Sequence, residues 1–233
     1  MADIDVSVVI PAYDEQDFVA AALRSVTEQT IPASRIEVIV VANGCTDLTS
    51  EVAVCFAAKN PQLFVRLIED PEAGVSRAKN IGAASARGKV LIFLDADSRM
   101  APDLAERILE RVGRGERAAS IKMTADTSDL LDRGFFNLIE YGKRLVRVRA
   151  NMLYCTRAVF LSAAGFNEDL HHAEDLDLLT RLKRRGVAVG HVSESGIATS
   201  PRRLHSLPLR LGMVTTLGRW GLGNFGIGRR WSY

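Results

Sequence analysis

Long apolar runs, proline, paired cysteines and an excess of one charge are all scarce in this 233-residue chain. Each scarcity removes a class of protein. No stretch approaches the 18 or so uninterrupted apolar residues of a spanning helix. Seven prolines and 18 glycines exclude a collagenous design. Cys45, Cys55 and Cys155 are odd in number and far apart, so they build neither a disulfide framework nor a zinc module. A reducing compartment, the cytoplasm, is the expectation. Thirty Lys and Arg face 28 Asp and Glu, so there is no overall pull toward nucleic acid. The opening MADIDVSVVIPAYDE carries aspartates before a short apolar run, the wrong charge and length for a signal peptide.

What is present is apolar content: 47% of residues, too much for a disordered chain and enough to bury roughly 70–75% of the unfolded surface. The charge is unevenly placed. Residues 201–233 hold six arginines and no acidic residue, leaving 24 basic against 28 acidic groups in residues 1–200. That tail also carries Trp220, Phe225, Trp231 and Tyr233 among six glycines from Gly212 to Gly228. Such a segment reads as a basic Gly-rich extension, able to pack on the body, lie on an anionic membrane surface or close over a phosphate-rich ligand.

Residues 1–200 read as one domain and 201–233 as the extension. Val6–Ile10, Ile36–Val41, Phe64–Ile68 and Val90–Leu94 are near-continuous apolar runs, the pattern of strands covered on both faces. Helical periodicity separates them over Glu15–Thr30, Asp47–Ala58 and Ser76–Arg87. The alternation predicts βαβ units and a single doubly wound, mainly parallel α/β sheet, with a nucleotide-binding half at about 1–98. Residues 99–200 then form a second half, expected to supply the pocket of a partner substrate. It has helices predicted at Pro102–Val112, Leu130–Val148 and Glu174–Arg185, and a strand near Val187–Val192.

Ligands of such sheets sit at the carboxyl ends of strands. Three polar clusters fall there: Pro11-Ala12-Tyr13-Asp14-Glu15, Ala42-Asn43-Gly44-Cys45-Thr46-Asp47 and Asp95-Ala96-Asp97. In an extended segment Asp95 and Asp97 would share one side and could hold a hard divalent cation, Mg²⁺ or Mn²⁺. The alternative for the pair is a turn with an Asx cap. Between Gly134 and Tyr141 apolar and aromatic positions cluster ahead of Lys143, Arg144, Arg147 and Arg149. A helix packing its stripe on the sheet is the expected reading, and a lipid groove or membrane-surface helix the alternative.

These segments together resemble the family 2 glycosyltransferases, which carry the A-type glycosyltransferase fold. VSVVIPAYDE, VIVVANGCTD, AGVSRAKNIGAASARGKVLIFLDAD and GFNEDLHHAEDLDLLTRLKRRG stand in that family's order over about residues 6–186. The resemblance implies transfer of a sugar from a nucleoside diphosphate sugar to a hydroxyl acceptor by metal-dependent inverting single displacement. Pro11, Ala12, Tyr13 and Glu15 would meet the nucleotide, and Asp95 and Ala96 the ribose or metal. Asp97 would ligate the metal, and His205, with His191 as the other candidate, would complete its site. Asn43 would face the base, and Arg77, Lys79, Arg202 and Arg203 would reach phosphate. Lys79 stands where the family often has arginine. Asp175 would be the general base, with Asp177 the second candidate, and His171, His172 and Glu174 would meet the acceptor. The family usually has an acidic residue at Ala42, so UDP-type and GDP-type donors both stay open. The acceptor would be a saccharide, a small molecule or a lipid-linked hydroxyl. A noncatalytic sugar-nucleotide-binding module and a nucleotidyltransferase are the alternatives, although the latter's Gly-rich basic phosphate loop is missing after the first strand. A dehydrogenase would need Gly-x-Gly-x-x-Gly there.

Overall fold

The computed structural model describes residues 4–145, 152–170 and 173–205, with 212, 213 and 218 besides. Its centre is one eight-stranded sheet. The strands are β1 (Val6–Ala12), β2 (Ile36–Asn43), β3 (Phe64–Asp70), β4 (Val90–Phe93), β5 (Ser98–Met100), β6 (Ala118–Ala125), β7 (Leu153–Thr156) and β8 (Val189–Thr199). They lie in the order β3-β2-β1-β4-β7-β6-β8-β5. The first four run parallel, as does the pair β6 and β8, while β7 and β5 are antiparallel to their neighbours. The result is a mixed, mainly parallel doubly wound sheet, as expected.

The helices are α1 (Val19–Thr27), α2 (Thr49–Lys59), α3 (Val75–Ser85), α4 (Leu104–Gly113), α5 (Leu130–Leu145), α6 (Arg157–Ser162) and α7 (Glu174–Arg184). They cover both faces, and the two-residue period of the strands divides the core accordingly. Val6, Val8, Ile10, Val38 and Val40 point to one face, where Leu23 of α1 and Leu104 and Ile108 of α4 meet them. Val9, Ile39, Val41, Leu91 and Phe93 point to the other, packing with Ala78 and Ala83 of α3, Phe160 of α6 and Leu178, Leu179 and Leu182 of α7. Helix α3 lies close against the sheet at Gly82, where an added Cβ would stand 2.4 Å from Val9 Cγ1. No helix among the described residues is long and apolar enough to cross a membrane.

Two expectations need correction. Asp95 and Asp97 are not on an extended segment: β4 ends at Phe93, and the Ser98 N–H donates to the Asp95 carbonyl at 3.0 Å, closing a turn. Helix α1 begins at Val19 rather than Glu15, because the backbone N–H groups of Glu15 and Gln16 bond to Thr49 and Asp47 across the neighbouring loop. The tail from Pro201 starts as a 3-10 turn, Pro201–Leu204, whose Leu204 is buried with Phe135, Phe136 and Ile139 of α5. The rest of the proposed extension, apart from residues 205, 212, 213 and 218, lies outside the described residues.

Candidate active site

β1 lies between β2 and β4, so the chain crosses from one side of the sheet to the other at this point. The carboxyl ends of such neighbouring strands open a crevice. Three loops close round it, held by one another's side chains. Asp14, in the left-handed region at φ 49, accepts from the Thr46 N–H at 2.7 Å. Asp47 accepts from the Gln16 N–H at 3.0 Å, and Thr49 Oγ1 accepts from the Glu15 N–H at 2.8 Å. Gly44 has φ +68 and donates to the Asp70 carbonyl at 2.7 Å, and a Cβ there would strike Ala73 at 2.9 Å. Only glycine suits both demands.

Asn43 is buried at the end of β2, and its amide nitrogen donates to the carbonyls of Glu72 at 2.8 Å and Gly74 at 3.2 Å. Its donor is thus spent on fixing the β3–α3 loop. Arg77 grips Asp70 with two bonds, of 2.7 and 3.2 Å. Those bonds hold the Asp70 carboxyl below its ordinary value. Pro11, Ala12 and Ala96 are buried, the two alanines within the apolar core. Any donor contact at Ala12 or Ala96 therefore comes from backbone. Tyr13 is exposed at the mouth.

Asp97 is buried at the turn. Its Oδ1 accepts from the hydroxyls of Ser98 at 3.3 Å and Thr199 at 3.4 Å, and its Oδ2 from Arg202 Nε at 3.2 Å. The same guanidinium donates to Glu15 Oε1 and lies 4.4 Å from the centre of the Phe18 ring. Arg202 is aimed by backbone: the Ser200 N–H donates to the Asp97 carbonyl at 3.0 Å, and Ser200 Oγ accepts from the Arg202 N–H. One planar cation thus bridges two carboxylates from the loops that follow β1 and β4. The donors are hard oxygens that already attract positive charge, so they suit a divalent cation such as Mg²⁺ or Mn²⁺.

A second grouping, Asp14, Cys45 and Asp47, brings its ligand atoms within 4.8 Å of one another. Asp14 and Asp47 accept loop N–H groups there, as Asp97 accepts from Ser98, Thr199 and Arg202 at its own turn.

Across the crevice lies the second cluster. Lys79 of α3 is buried, and its Nζ stands 2.7 Å from Glu174 Oε1, 3.0 Å from Asp175 Oδ1 and 5.2 Å from the centre of the Phe166 ring. Glu174 and Asp175 open α7, where the helix dipole favours anions. Burial works against the charge of Lys79, but Asp175, Glu174 and Asp95 outweigh it and hold the amine above its ordinary value. For Asp175 burial is the largest influence. With Glu174 and Asp95 adding like charge and Lys79 opposing, the carboxyl is pushed up to about 7. Asp95 acts on both partners, while Asp97, two residues on, holds Arg202. The turn therefore joins the two clusters.

Several anticipated residues face elsewhere. Lys79 pairs with α7 carboxylates and Arg77 with Asp70, rather than standing open to a phosphate. His205 Nε2 lies 3.0 Å from Asp132 on α5, directed there and not onto Asp97. His191 Nδ1 is 2.9 Å from Ser120 Oγ, and Asp177 is taken by Arg181 at 2.7 Å. His171, His172 and the side chain of Arg203 lie outside the described residues. Thr199, Phe18 and Asp132 went unforeseen. Thr199 is 102 residues from Asp97, and no local pattern links them.

With this geometry in view, comparison with known proteins gives a consistent answer. Residues 7–155 match the family described as Glycosyl transferase family 2. The glycosyltransferase AglE of Haloferax volcanii is 44% identical over 92 residues, 40% of this chain and 30% of that protein. The chain spans less than a third of the length of the first curated relatives it matches. Among solved structures, Staphylococcus aureus TarS 1-349 in complex with UDP-GlcNAc superposes with a TM-score of 0.70 at 18% identity, covering 84% of this chain and 58% of that one. The mannosyltransferase PcManGT of Pyrobaculum calidifontis, in complex with GDP-Man and Mn²⁺, gives 0.66 at 24% identity, covering 80% and 54%. The fold is the A-type glycosyltransferase fold, and the chain belongs to glycosyl transferase family 2.

Proposed function

We propose that this chain transfers a sugar from a nucleoside diphosphate sugar to a hydroxyl acceptor, in one displacement that inverts the anomeric carbon. The observation that carries the reading is the Asp95–Ser98 turn. It presents Asp97 to the Glu15–Arg202 cluster and Asp95 to the Lys79–Glu174–Asp175 cluster. A donor between the two would meet a cationic, oxygen-lined side and a basic carboxylate on the other.

Glu15 can accept from ribose hydroxyls, Tyr13 can stack on a base, and the Asn43 carbonyl can accept from the base edge. Asp97 would hold Mg²⁺ or Mn²⁺, which offsets the charge of the diphosphate as it departs. Arg202 has a guanidinium able to move from the Asp97–Glu15 pair to phosphate oxygens, where a bidentate contact is strong. Asp175 takes the proton from the acceptor hydroxyl while the oxygen attacks the anomeric carbon. The bond to the diphosphate breaks as the new bond forms. Lys79 keeps Asp175 oriented and favours its ionised form. Glu174, on the same ammonium, supports this position.

The bound donors of the two structural neighbours, GDP-Man in one and UDP-GlcNAc in the other, support a nucleotide-sugar donor here. A noncatalytic binding module would have no need of Asp175 on the Lys79 ammonium beside the turn that carries Asp97. The test measures nucleoside diphosphate release from UDP-sugars and GDP-sugars, with Mn²⁺ and with chelator. We expect release that needs metal and falls at least a hundredfold in Asp97→Asn, in keeping with loss of a principal electrostatic group. Metal-independent release unaffected by that substitution would overturn the reading.

A further inference from the structure

We infer that the outer face of α5 docks the protein on an anionic lipid surface. This helix has two apolar faces rather than one. Phe135, Phe136 and Ile139 turn inward and are buried with Leu204. On the opposite side Leu130, Leu131, Leu138 and Tyr141 lie in the open, between 58% and 77% exposed. Leu131, Gly134, Leu138 and Tyr141 follow at spacings of three, four and three, which places them along one helix face. A packed globular helix has one such stripe, and a second, uncovered one marks a contact surface.

Charge identifies the occupant. The two carboxylates on this helix face the protein: Asp132, with no accessible surface, meets His205, and Glu140 is buried near Met123 and His191. The outer face carries Arg133 and no acid. In sequence Lys143, Arg144, Arg147 and Arg149 follow Tyr141, and no acidic residue occurs between Tyr141 and Asn167. Beyond the Pro201–Leu204 turn, whose Leu204 packs on the inner face of α5, the sequence holds four more arginines and no acidic residue. An apolar stripe that carries Arg133 and no acid, Asp126 and Asp129 lying before its first turn, and that a basic sequence follows, fits anionic headgroups over an acyl boundary. A second copy of the chain would instead bring like charge to like charge. The proposal is independent of the catalytic assignment, and its test involves no turnover.

The test is flotation of the full chain with vesicles of equal parts phosphatidylglycerol and phosphatidylcholine, beside vesicles of phosphatidylcholine alone. We expect binding to the anionic vesicles, weakened when salt rises to about 0.5 M. Leu131→Ser combined with Leu138→Ser should lower partitioning by about tenfold or more, since two large apolar side chains no longer enter the interface. Arg133→Glu should reduce it by roughly fivefold on the anionic vesicles. Leu161→Ser, an exposed leucine on α6, should change nothing. Thermal melting confirms that the variants fold, and if the double variant does not, Arg133→Glu and Tyr141→Ser carry the measurement. The proposal is overturned if the parent ignores anionic vesicles, binds both kinds equally, or binds unchanged with the stripe polar. Sedimentation showing a dimer that the stripe variants dissociate would also overturn it, because a second copy would then be the occupant.

Discussion

Two carboxylates stand at opposite ends of this sheet, Glu37 fully buried and Asp175 largely so, and their surroundings treat them in opposite ways. Glu37 stands near the amino end of β2 with no accessible surface. It accepts from Ser7 Oγ at 2.6 Å and from the Arg87 backbone at 2.5 Å and guanidinium at 3.0 Å. Burial alone would raise it, yet these bonds hold it below its ordinary value. Asp175, near the carboxyl ends, is given one ammonium to share with Glu174 and Asp95, and burial drives it up to about 7. Satisfied, a buried carboxylate fastens strands together. Undersupplied with donors, it becomes a base that can gain and lose a proton near neutrality. The comparison assigns structure to one end and chemistry to the other.

The largest expected effect tests that division directly. Asp175→Asn should lower turnover by about 10²–10⁴-fold, the usual range for a general base. Its stability should not fall. An Asp whose folded value is raised holds its proton further up the pH scale than the unfolded chain does. That group therefore removes stability as pH climbs from about 4 toward 7, and Asn lifts the penalty. Melting at pH 8 should show the variant level with or above the parent. A large fall in melting temperature with turnover intact would make Asp175 another Glu37 and end the contrast.

A smaller effect sharpens it. In the parent, the reaction rate should rise with pH through about 7 as Asp175 ionises. Lys79→Gln removes the cation that opposes this shift, so the rising limb should move to higher pH by about one unit or more. Activity near neutrality would then fall severalfold and recover in alkali. A merely structural Lys79 would lower the rate at every pH alike, leaving the limb where it was.

The sequence made half of this contrast readable. Strands β1, β2 and β4 are apolar and buried on both faces, and that pattern survives in one dimension, whereas β3, at the sheet edge, carries Arg66 and is only partly buried. β6 reads AASIKMTA and β7 reads LYCT, with small and mixed residues whose strand state is decided by neighbours on either side. The candidate site divides in the same manner. Asp97 and Asp175 could be picked out because each stands where a periodic element begins or ends. Their partners could not: Arg202 lies 105 residues from Asp97, and Lys79 lies 96 from Asp175. Lys79 read as a phosphate contact and Arg77 likewise, because a cation's partner is settled by packing rather than spacing. Ala42 pointed to Asn43 as the base reader, yet the structure gives the Asn43 amide a loop to hold.

The smallest effect belongs to the other end. Glu37→Gln keeps shape and an acceptor but loses the charge that Arg87 and Arg66 address, the latter at 3.8 Å. Arg87 is partly exposed and can be resolvated, so the cost should be about 1–2 kcal/mol, or roughly 2–8 °C in melting temperature. Turnover per folded molecule should not change. The pH dependence has the opposite sign from that of Asp175. With its folded value lowered, Glu37 contributes stability that is present above the unfolded value of about 4.3 and is lost as pH falls through the folded value. Parent and variant should therefore differ most near neutrality and converge in acid. If the gap between them instead stayed constant down to the lowest pH at which the parent folds, the ionised form of Glu37 would not be what its neighbours stabilise. The contrast with Asp175 would then reduce to one of packing.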